Sequence, residues 1–329
     1  MLSVLGIEST AHTFGVGVVK NGKVLANIKR TYTTNKGGII PLDAAKFHQK
    51  NKYEIYFEAL NAAKIQESEV EVISFSQGPG LSPCLLEGMK FAKELSKKLK
   101  KPLVPVNHCI AHLEIGELTG AKDPVMLYTS GANTQIIAYA SGKYRVFGET
   151  LDIGVGNFID TFARYAGIGF PGGPVIQKLA EKSRDYIEIP YKVKGMDIAL
   201  SGILTNLKQK LESEKFRLAD LAYSMQETVF AMLVETAERA LAHTGKRELL
   251  LGGGVACNSR LQEMCKIMCK ERGAKYFCPE NSLLVDNAAM IAFLGEIMFK
   301  SGIKIPHRDL DKIDIKPRQR TDEVDVSWK

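Results

Sequence analysis

Two histidines four residues apart suggest chemistry most directly in this chain. His108 and His112 follow an apolar run at residues 103–106, which predicts a strand that leads into a helix. Residues i and i+4 share one face of a helix, so both imidazoles can bind a single metal ion. The alternative is a pair of surface or packed core histidines, which are common without metal. The spacing alone leaves both interpretations open.

The residues between these histidines exclude the metalloprotease pattern H-E-x-x-H. That pattern needs a glutamate as general base, but Cys109 and Ile110 occupy the intervening positions. A third metal ligand must therefore come from elsewhere in the chain. Asp286 is the strongest candidate, because it is a lone carboxylate at the start of an apolar helical segment. The alternative for Asp286 is a plain helix cap.

Three polar turns each follow a buried apolar run, and they lie at residues 8–10, 130–134 and 252–258. Backbone amides and hydroxyl groups in such turns can bind phosphate oxygens. The third turn contains three consecutive glycines, which let the backbone approach a flat ligand closely. Asn258 ends this turn, and its alternative role is to cap the following helix. Together the three turns favour a nucleotide site.

The elements that must position these residues form an internal repeat. Three apolar runs at residues 2–7, 14–19 and 24–28, with an Asn21-Gly22 turn, recur as runs at 125–128, 135–139 and 144–148, with a Ser141-Gly142 turn. Each set is followed by alternating helical and strand patterns, with predicted helices at 41–65, 82–100, 218–243 and 258–272 and strands at 70–75 and 248–251.

This duplication predicts an α/β protein of the actin, hexokinase and Hsp70 type, with ribonuclease-H-like lobes and an active site in the cleft between them. We place the first lobe at residues 1–121, and the second lobe, with a C-terminal tail, at residues 122–329. The length of 329 residues agrees with two lobes, each large enough to bury a core.

Composition narrows the class of protein further. Hydrophobic residues make up 45% of the chain, and no apolar run approaches the ~20 residues of a membrane span. The first residues read as a buried strand and not as a signal peptide, which predicts a cytoplasmic protein without a membrane partner. The six cysteines match neither a disulfide framework nor paired zinc motifs.

Basic residues exceed acidic ones by 44 to 37, and this net charge of +7 favours a polyanionic partner. Lysines are concentrated in two segments, at residues 90–101 on one predicted helix and at residues 312–320, with two arginines, in the tail. Either segment can contact phosphates. The alternative is that each is an ordinary solvated surface.

Five motifs, in order along the chain, resemble those of the TsaD family, formerly called O-sialoglycoprotein endopeptidases. They are HCIAHLE at 108–114, SGANTQ at 130–135, GETLDIG at 148–154, FPGGP at 170–174 and KGMD at 194–197. The likeness extends over nearly the whole chain. It is closest to the archaeal and eukaryotic branch, whose members are the catalytic subunit of the KEOPS complex.

The resemblance implies transfer of a threonylcarbamoyl group from threonylcarbamoyl-AMP to the adenosine just 3′ of the anticodon in tRNA. It implies one divalent metal, with Fe2+ favoured and Zn2+ or Mg2+ as alternatives, bound by His108, His112 and Asp286 and approached by Tyr128. Threonylcarbamoyl-AMP, AMP or ATP is the implied nucleotide. The implied partners are tRNA and KEOPS subunits, including a small protein kinase or ATPase and a dimerising subunit. No general base is singled out.

The same resemblance implies nucleotide contacts along the second lobe. The positions that match the family's acyl-phosphate loop, and those that match its ribose and adenine contacts, are Thr129, Ser130, Gly131, Ala132, Asp160, Gly173, Gln177 and Asn258. Gln177 replaces a glutamate that is usual in this branch, and Ala132 and Ala288 replace common glycines. Phe47 also departs from the family pattern, so His48 receives no role.

A second function class remains open on the residues alone. A small-molecule kinase of the sugar-kinase or acetate-kinase type shares the fold and the phosphate turns, but it does not need two histidines on one helix. A third class, an Hsp70-like binding module, requires a separate substrate-binding domain, for which 329 residues leave no room.

Overall fold

The computed structural model describes residues 2–34 and 38–329. Met1 and residues 35–37, which fall in the predicted first lobe, lie outside the described residues. The strands are β1 Ser3–Glu8, β2 Thr13–Lys20, β3 Lys23–Thr31, β4 Val72–Gly78, β5 Leu103–Asn107, β6 Val125–Thr129, β7 Thr134–Ala140, β8 Lys143–Glu149, β9 Val193–Lys194, β10 Asp197–Ile198, β11 Glu248–Gly252 and β12 Lys275–Phe277. The helices are α1 Pro41–Ala63, α2 Ser82–Leu99, α3 His108–Glu114, α4 Val155–Tyr165, α5 Gly173–Ala180, α6 Ser201–Glu212, α7 Leu218–Thr244, α8 Ser259–Arg272, α9 Asn281–Leu284 and α10 Ala288–Lys300.

Two five-stranded sheets have the same topology. The first has the order β3-β2-β1-β4-β5, and the second has the order β8-β7-β6-β11-β12. In each sheet the first three strands are antiparallel, and the first strand also pairs in parallel with a later strand, which pairs in parallel with the fifth. The predicted duplication of a strand–hairpin–crossover unit is confirmed.

Both predicted hairpin turns are present between the second and third strands of each sheet. Asn21 and Gly22 have φ angles of 50° and 76°, and Ser141 and Gly142 have φ angles of 50° and 77°. Two consecutive residues with positive φ define a type I′ turn, whose twist matches that of the flanking strands. The repeated turn signal therefore reflects a repeated backbone requirement.

Helix α10 connects the far end of the chain to the first sheet. It packs against β1, β2 and β4, and Gly6 and Gly17 leave the space for this contact. A Cβ atom on Gly6 would lie 2.4 Å from the Ala288 carbonyl oxygen, and one on Gly17 would lie 2.5 Å from the Ala289 amide nitrogen. The residues that precede α10, including Asp286, are thereby held beside the end of β1.

The apolar core lies on both sides of the two sheets. One cluster joins β6, β7 and β11 to α4 and α7, and another joins β1, β2 and β4 to α1 and α2. Because α10 and the segment around Leu310 also pack on the first sheet, that sheet is covered partly by residues from the end of the chain. The boundary at residues 121 and 122 stays a prediction. Within the described part of the chain, no helix combines the length and the apolar character needed to cross a membrane.

Candidate metal and nucleotide site

The two histidines and the distant aspartate meet at one point. The Nε2 atoms of His108 and His112 lie 3.3 Å and 3.5 Å from the same carboxylate oxygen of Asp286, Oδ1. One ligand atom from each residue lies within 4.8 Å of the other two. Two donors that each lie about 2.0–2.1 Å from a tetrahedral ion are about 3.4 Å apart. The spacing of these three groups therefore fits a shared metal ion.

The structure distinguishes the two interpretations of Asp286. The residue that caps α10 is Asn287, whose side-chain oxygen accepts a hydrogen bond of 2.9 Å from the Met290 amide. Asn287 also donates to the carbonyl oxygens of Leu283 and Val285. The Asp286 carboxylate, one residue earlier, faces the histidines. A plain capping role for Asp286 is thus ruled out by its neighbour.

A buried carboxylate from the first polar turn orients His108. Glu8 is fully buried and its Oε2 accepts a 2.9 Å hydrogen bond from His108 Nδ1. The other oxygen of Glu8 accepts hydrogen bonds from the amide and the hydroxyl of Thr10, at 2.7 Å and 2.5 Å. A carboxylate on one imidazole nitrogen fixes the tautomer, which leaves Nε2 as the ligand atom. Glu8 therefore directs His108 toward Asp286.

The charge states follow from burial and from these neighbours. Burial lowers the pKa of His108, but the carboxylates of Glu8 and Asp286 outweigh that effect and hold it well above its ordinary value. Burial also lowers the pKa of His112, and here it dominates. Burial raises the pKa of Asp286, but the two imidazoles hold it well below its usual range. Asp286 is therefore an anion and His112 is neutral, the forms in which these groups bind metal, whereas His108 would have to release a proton when an ion binds at its Nε2 atom.

Two orphaned ring nitrogens support the metal interpretation. His112 is buried, and neither of its ring nitrogens makes a hydrogen bond to another described residue. A buried polar group without a partner costs about 1–3 kcal/mol. His48 is also fully buried with two ring nitrogens unpaired among the described residues, so the position of Nε2 3.5 Å from the Asp286 carboxylate is what singles out His112. A metal ion at the Nε2 atom of His112 would remove part of this cost.

Two further side chains surround the three candidate ligands. Lys29 of β3 donates hydrogen bonds of 3.2 Å to the carbonyl oxygens of Ser282 and Asp286, which fixes the segment before α10. Burial lowers the pKa of Lys29. The buried ring of Tyr128 lies 5.0 Å from the ring of His112, and burial raises the pKa of its phenol well above the ordinary value. Tyr128 therefore approaches the site as a neutral phenol.

The second polar turn presents backbone amides beside Tyr128. The carbonyl oxygens of Ser130 and Gly131 accept hydrogen bonds from the first turn of α4, at Gly156 and Asn157. The Ser130 hydroxyl and amide both bond to Asn133. Among the described residues, the amides of Gly131 and Ala132 donate to no other group. This turn is thus a rigid loop with free donors, as an anion site requires.

The glycine turn packs against the same loop. Gly253 has a φ of 89°, and a Cβ atom there would lie 2.4 Å from the carbonyl oxygen of Thr129. Thr129 is buried, and its hydroxyl donates to Gly252 at 3.3 Å. The third turn therefore reaches the second because Gly253 carries no side chain.

Asn258 adopts the capping geometry that its position predicts. Its side-chain oxygen accepts from the Arg260 amide at 2.9 Å, and its amide group donates to Gln226 at 2.9 Å. A contact of Asn258 with adenine stays a prediction.

The remaining nucleotide candidates cluster around the start of α5. Asp160 accepts a 2.8 Å hydrogen bond from the Gly172 amide, next to Gly173. Burial raises the pKa of Asp160, although the amides of Gly172 and Gly173 oppose this. Gln177 donates to the hydroxyl of Ser259 at 3.1 Å, which links α5 to the residue after Asn258. These residues share one surface, and their contacts with ribose and adenine stay predictions.

Sequence reasoning missed Glu8 and Lys29 as parts of the metal site. Glu8 was assigned only to a phosphate turn. The available signal was an acidic residue at the end of an apolar strand, which is rarely buried without a partner. Lys29 carried no signal, because its partners are backbone carbonyls far along the chain.

Comparison with known proteins identifies the family. The model of the TsaD family, tRNA N6-adenosine threonylcarbamoyltransferase, matches residues 23–293. The chain belongs to this family. A tRNA N6-adenosine threonylcarbamoyltransferase of Thermococcus sibiricus is 55% identical over 324 residues, which cover 98% of this chain and 99% of that relative. The family assignment made from the five motifs is confirmed.

Two other relatives extend the comparison. A probable bifunctional tRNA threonylcarbamoyladenosine biosynthesis protein of Methanosarcina mazei is 50% identical over 99% of this chain, which spans 59% of that relative. A crystal structure of full-length HypF in the phosphate- and nucleotide-bound form has a TM-score of 0.61 at 13% identity, and it covers 90% of this chain and 56% of HypF. The latter likeness shows the fold alone, and it agrees with the duplicated actin-like lobes.

Proposed function

We propose that this TsaD family member transfers the threonylcarbamoyl group of threonylcarbamoyl-AMP to N6 of the adenosine 3′ of the anticodon in tRNA. The observation that carries the proposal is the convergence of His108, His112 and Asp286 on one point in a chain of this family. The amide loop at residues 130–133 begins next to Tyr128, whose ring contacts His112. The candidate metal ligands and the loop with free amide donors thus lie close together, which supports the proposal.

The donor set favours particular metals. Two imidazoles and one carboxylate form a set that suits Fe2+ or Zn2+, whereas Mg2+ prefers oxygen ligands. We therefore propose Fe2+, with Zn2+ as the alternative. A divalent ion held there supplies Lewis-acid polarisation of a carbamoyl or phosphate oxygen.

The protein groups supply orientation and charge stabilisation. The free amides of Gly131 and Ala132 bind the phosphate of the adenylate, and Thr129 and Ser130 hold that loop in place. Asp160, Gly173, Gln177 and Asn258 surround the nucleoside. The adenosine amine attacks the carbamoyl carbon, the bond from that carbon to the phosphate oxygen breaks, and AMP leaves with the electron pair. The amine proton passes to solvent or to a base.

The proposed setting is the cytoplasm, with partner subunits. The Methanosarcina relative is named as bifunctional, and this chain matches only 59% of it. A second activity joined to the same unit in that relative supports a partnership here with KEOPS subunits, including a small protein kinase or ATPase and a dimerising subunit. No observation favours the small-molecule kinase alternative.

The test is mass analysis of tRNA nucleosides after incubation with threonine, bicarbonate, ATP and an adenylate-forming enzyme. We expect threonylcarbamoyladenosine to form only when this chain and a divalent metal are present. A parallel assay follows phosphorylation of small molecules from ATP. Phosphoryl transfer without threonylcarbamoyl transfer would reverse the assignment.

A further inference from the structure

A basic groove lies where the C-terminal tail crosses the start of α2. It has a volume of about 620 Å³ and is lined by Ser82, Lys316, Pro317, Arg318, Gln319 and Glu323. The lining contains two cations and one anion. The anion, Glu323, already accepts a hydrogen bond from the Arg320 amide at 3.1 Å.

The backbone that presents the two cations is held firmly. The Lys316 amide donates to the Gln77 carbonyl at 2.8 Å, and the Gly80 amide donates to the Pro317 carbonyl at 3.1 Å. A Cβ atom on Gly78 would lie 1.9 Å from the Lys316 carbonyl oxygen, so the two segments are in direct backbone contact. The Gln319 amide closes a turn onto the Lys316 carbonyl at 3.1 Å, with Pro317 at its second position. The cationic side chains therefore project from a preorganised backbone.

The groove borders the candidate metal site on two sides. Gln319 accepts a 3.2 Å hydrogen bond from Asn107, the residue that caps α3 just before His108. On the other side, a Cβ atom on Gly80 would lie 2.5 Å from the Thr10 carbonyl oxygen, and the Thr10 hydroxyl lies 3.4 Å from His108 Nδ1. A polymer in this groove would lie near His108, on the side of its Nδ1 atom.

Both basic segments contain paired and unpaired cations. On α2, Lys90 pairs with Glu87 at 2.9 Å, Lys98 pairs with Glu67 at 2.8 Å, and Lys93 donates to the Ile313 carbonyl. Lys316 and Arg318 are exposed, and their side chains form no ion pair with another described residue. In the tail, Lys312 pairs with Asp309 and Arg320 pairs with Asp322, which leaves Lys316 and Arg318 free to bind a ligand. Lys97 on α2 is also exposed, and what distinguishes the tail pair is its place in a groove near His108.

We propose that the Lys316–Arg318 groove binds backbone phosphates of the tRNA next to the target adenosine. This inference rests on the proposed function, because it takes tRNA as the substrate of the adjoining site. Cations that are free, exposed and fixed by their backbone suit phosphate contacts, which position a nucleic acid without reading its sequence.

The experiment compares Lys316→Ala/Arg318→Ala with a matched control, Lys97→Ala/Lys270→Ala, which removes two exposed lysines from other helices. tRNA binding is measured between 50 and 200 mM salt, roughly the range in which phosphate contacts dominate. The Michaelis constant for tRNA, kcat, AMP affinity and melting temperature are measured on the same preparations.

We expect the groove variant to lower the slope of log affinity against log salt by about 1 for each lost cation. The Michaelis constant for tRNA should rise by roughly tenfold or more, while kcat, AMP affinity and melting temperature stay at control values. If the groove variant has the same salt slope and the same Michaelis constant for tRNA as the control, the proposal is wrong. A loss of AMP affinity in the groove variant as large as its loss of tRNA affinity would also overturn the proposal.

These outcomes separate the groove from the proposed function. One outcome is that the chain binds tRNA in a salt-dependent way and the groove variant weakens this binding, but the chain transfers no threonylcarbamoyl group. That outcome would support the groove as a tRNA site and contradict the proposed function. Normal transfer with an unchanged Michaelis constant in the groove variant would support the function and contradict the groove.

Discussion

The two polar turns at residues 8–10 and 130–133 occupy equivalent places, directly after β1 and β6, but the chain uses them differently. The first turn is closed on itself, because Glu8 accepts from Thr10 and then orients His108. The second turn directs its carbonyl groups into the start of α4 and leaves the amides of Gly131 and Ala132 free. A duplicated unit therefore supplies a side chain that orients a candidate metal ligand in one lobe and free backbone donors in the other.

The difference follows from what packs behind each turn. Behind the first lies α3, which brings a histidine that needs an acceptor. Behind the second lies the start of α4, where Gly154 and Gly156 let the helix end approach the loop. Substitutions on each side should therefore affect metal and nucleotide separately.

The largest effect is expected for the metal ligands. His112→Ala and Asp286→Ala should each remove bound divalent metal and abolish transfer, because two ligands hold an ion poorly. The folded state should persist, since the site is not part of the apolar core. Metal content, melting temperature and transfer are measured on the same preparations.

The matched control is Asn287→Ala, which removes the cap of α10 but not a ligand. It should cost about 1–2 kcal/mol of stability and retain the metal. A fully active Asp286→Ala protein with unchanged metal content would end the proposal.

A smaller effect is expected for the residue that orients His108. Glu8→Gln keeps the size of the side chain but removes the carboxylate that accepts from His108 Nδ1 and so fixes its tautomer and orientation. Metal affinity should fall by roughly 10–100-fold, as for other partners of metal-binding histidines, while AMP affinity changes little. Competition with a metal chelator measures the affinity. Glu87→Gln, on the surface of α2, is the control, and equal affinities in the two variants would argue against the role of Glu8.

Gly156→Ala, beside the second turn, should weaken nucleotide binding and leave the metal in place. A Cβ atom in Gly156→Ala would lie 2.7 Å from the Gly131 Cα and 2.8 Å from the Ser130 carbonyl oxygen. The loop must shift, at a cost of about 1–3 kcal/mol, and AMP should bind more weakly while metal content stays unchanged. Gly202→Ala on α6 is the control, because nothing lies within 4 Å of its new Cβ atom. Loss of metal in Gly156→Ala would show that the two turns do not act separately.

The smallest effect is expected for Gln177→Glu, which introduces a charged acceptor near the proposed ribose site. Nucleotide affinity should rise by no more than about 1 kcal/mol. Glu181 lies four residues later on the same face, and its repulsion of the new carboxylate should offset about 0.2–0.5 kcal/mol of that gain. Calorimetry on Gln177→Glu and on Gln177→Glu/Glu181→Gln measures both contributions. Weaker binding in the first variant would place Gln177 outside the ribose site.

Much of the architecture was predictable because it depends on short-range rules. The Asn21-Gly22 and Ser141-Gly142 turns need positive φ angles, and the apolar periodicity fixed helices close to their observed bounds, such as Pro41–Ala63 and Leu218–Thr244. The spacing of His108 and His112 placed both on one face of α3 before any tertiary contact was known. These features follow from hydrogen bonds and side-chain directions within a few residues.

The tertiary structure alone decided which polar residues act together. The sequence left Asp286 as either a ligand or a cap, and the packing of α10 on Gly6 and Gly17 makes Asn287 the cap and turns Asp286 toward the histidines. Likewise, Glu8 could be assigned only once β1 and α3 were adjacent. Which basic side chains stay unpaired was also undecidable, since ion pairs such as that of Lys98 with Glu67 depend on neighbours distant in sequence. Contacts of this kind depend on how whole elements pack, and no local pattern in the chain encodes them.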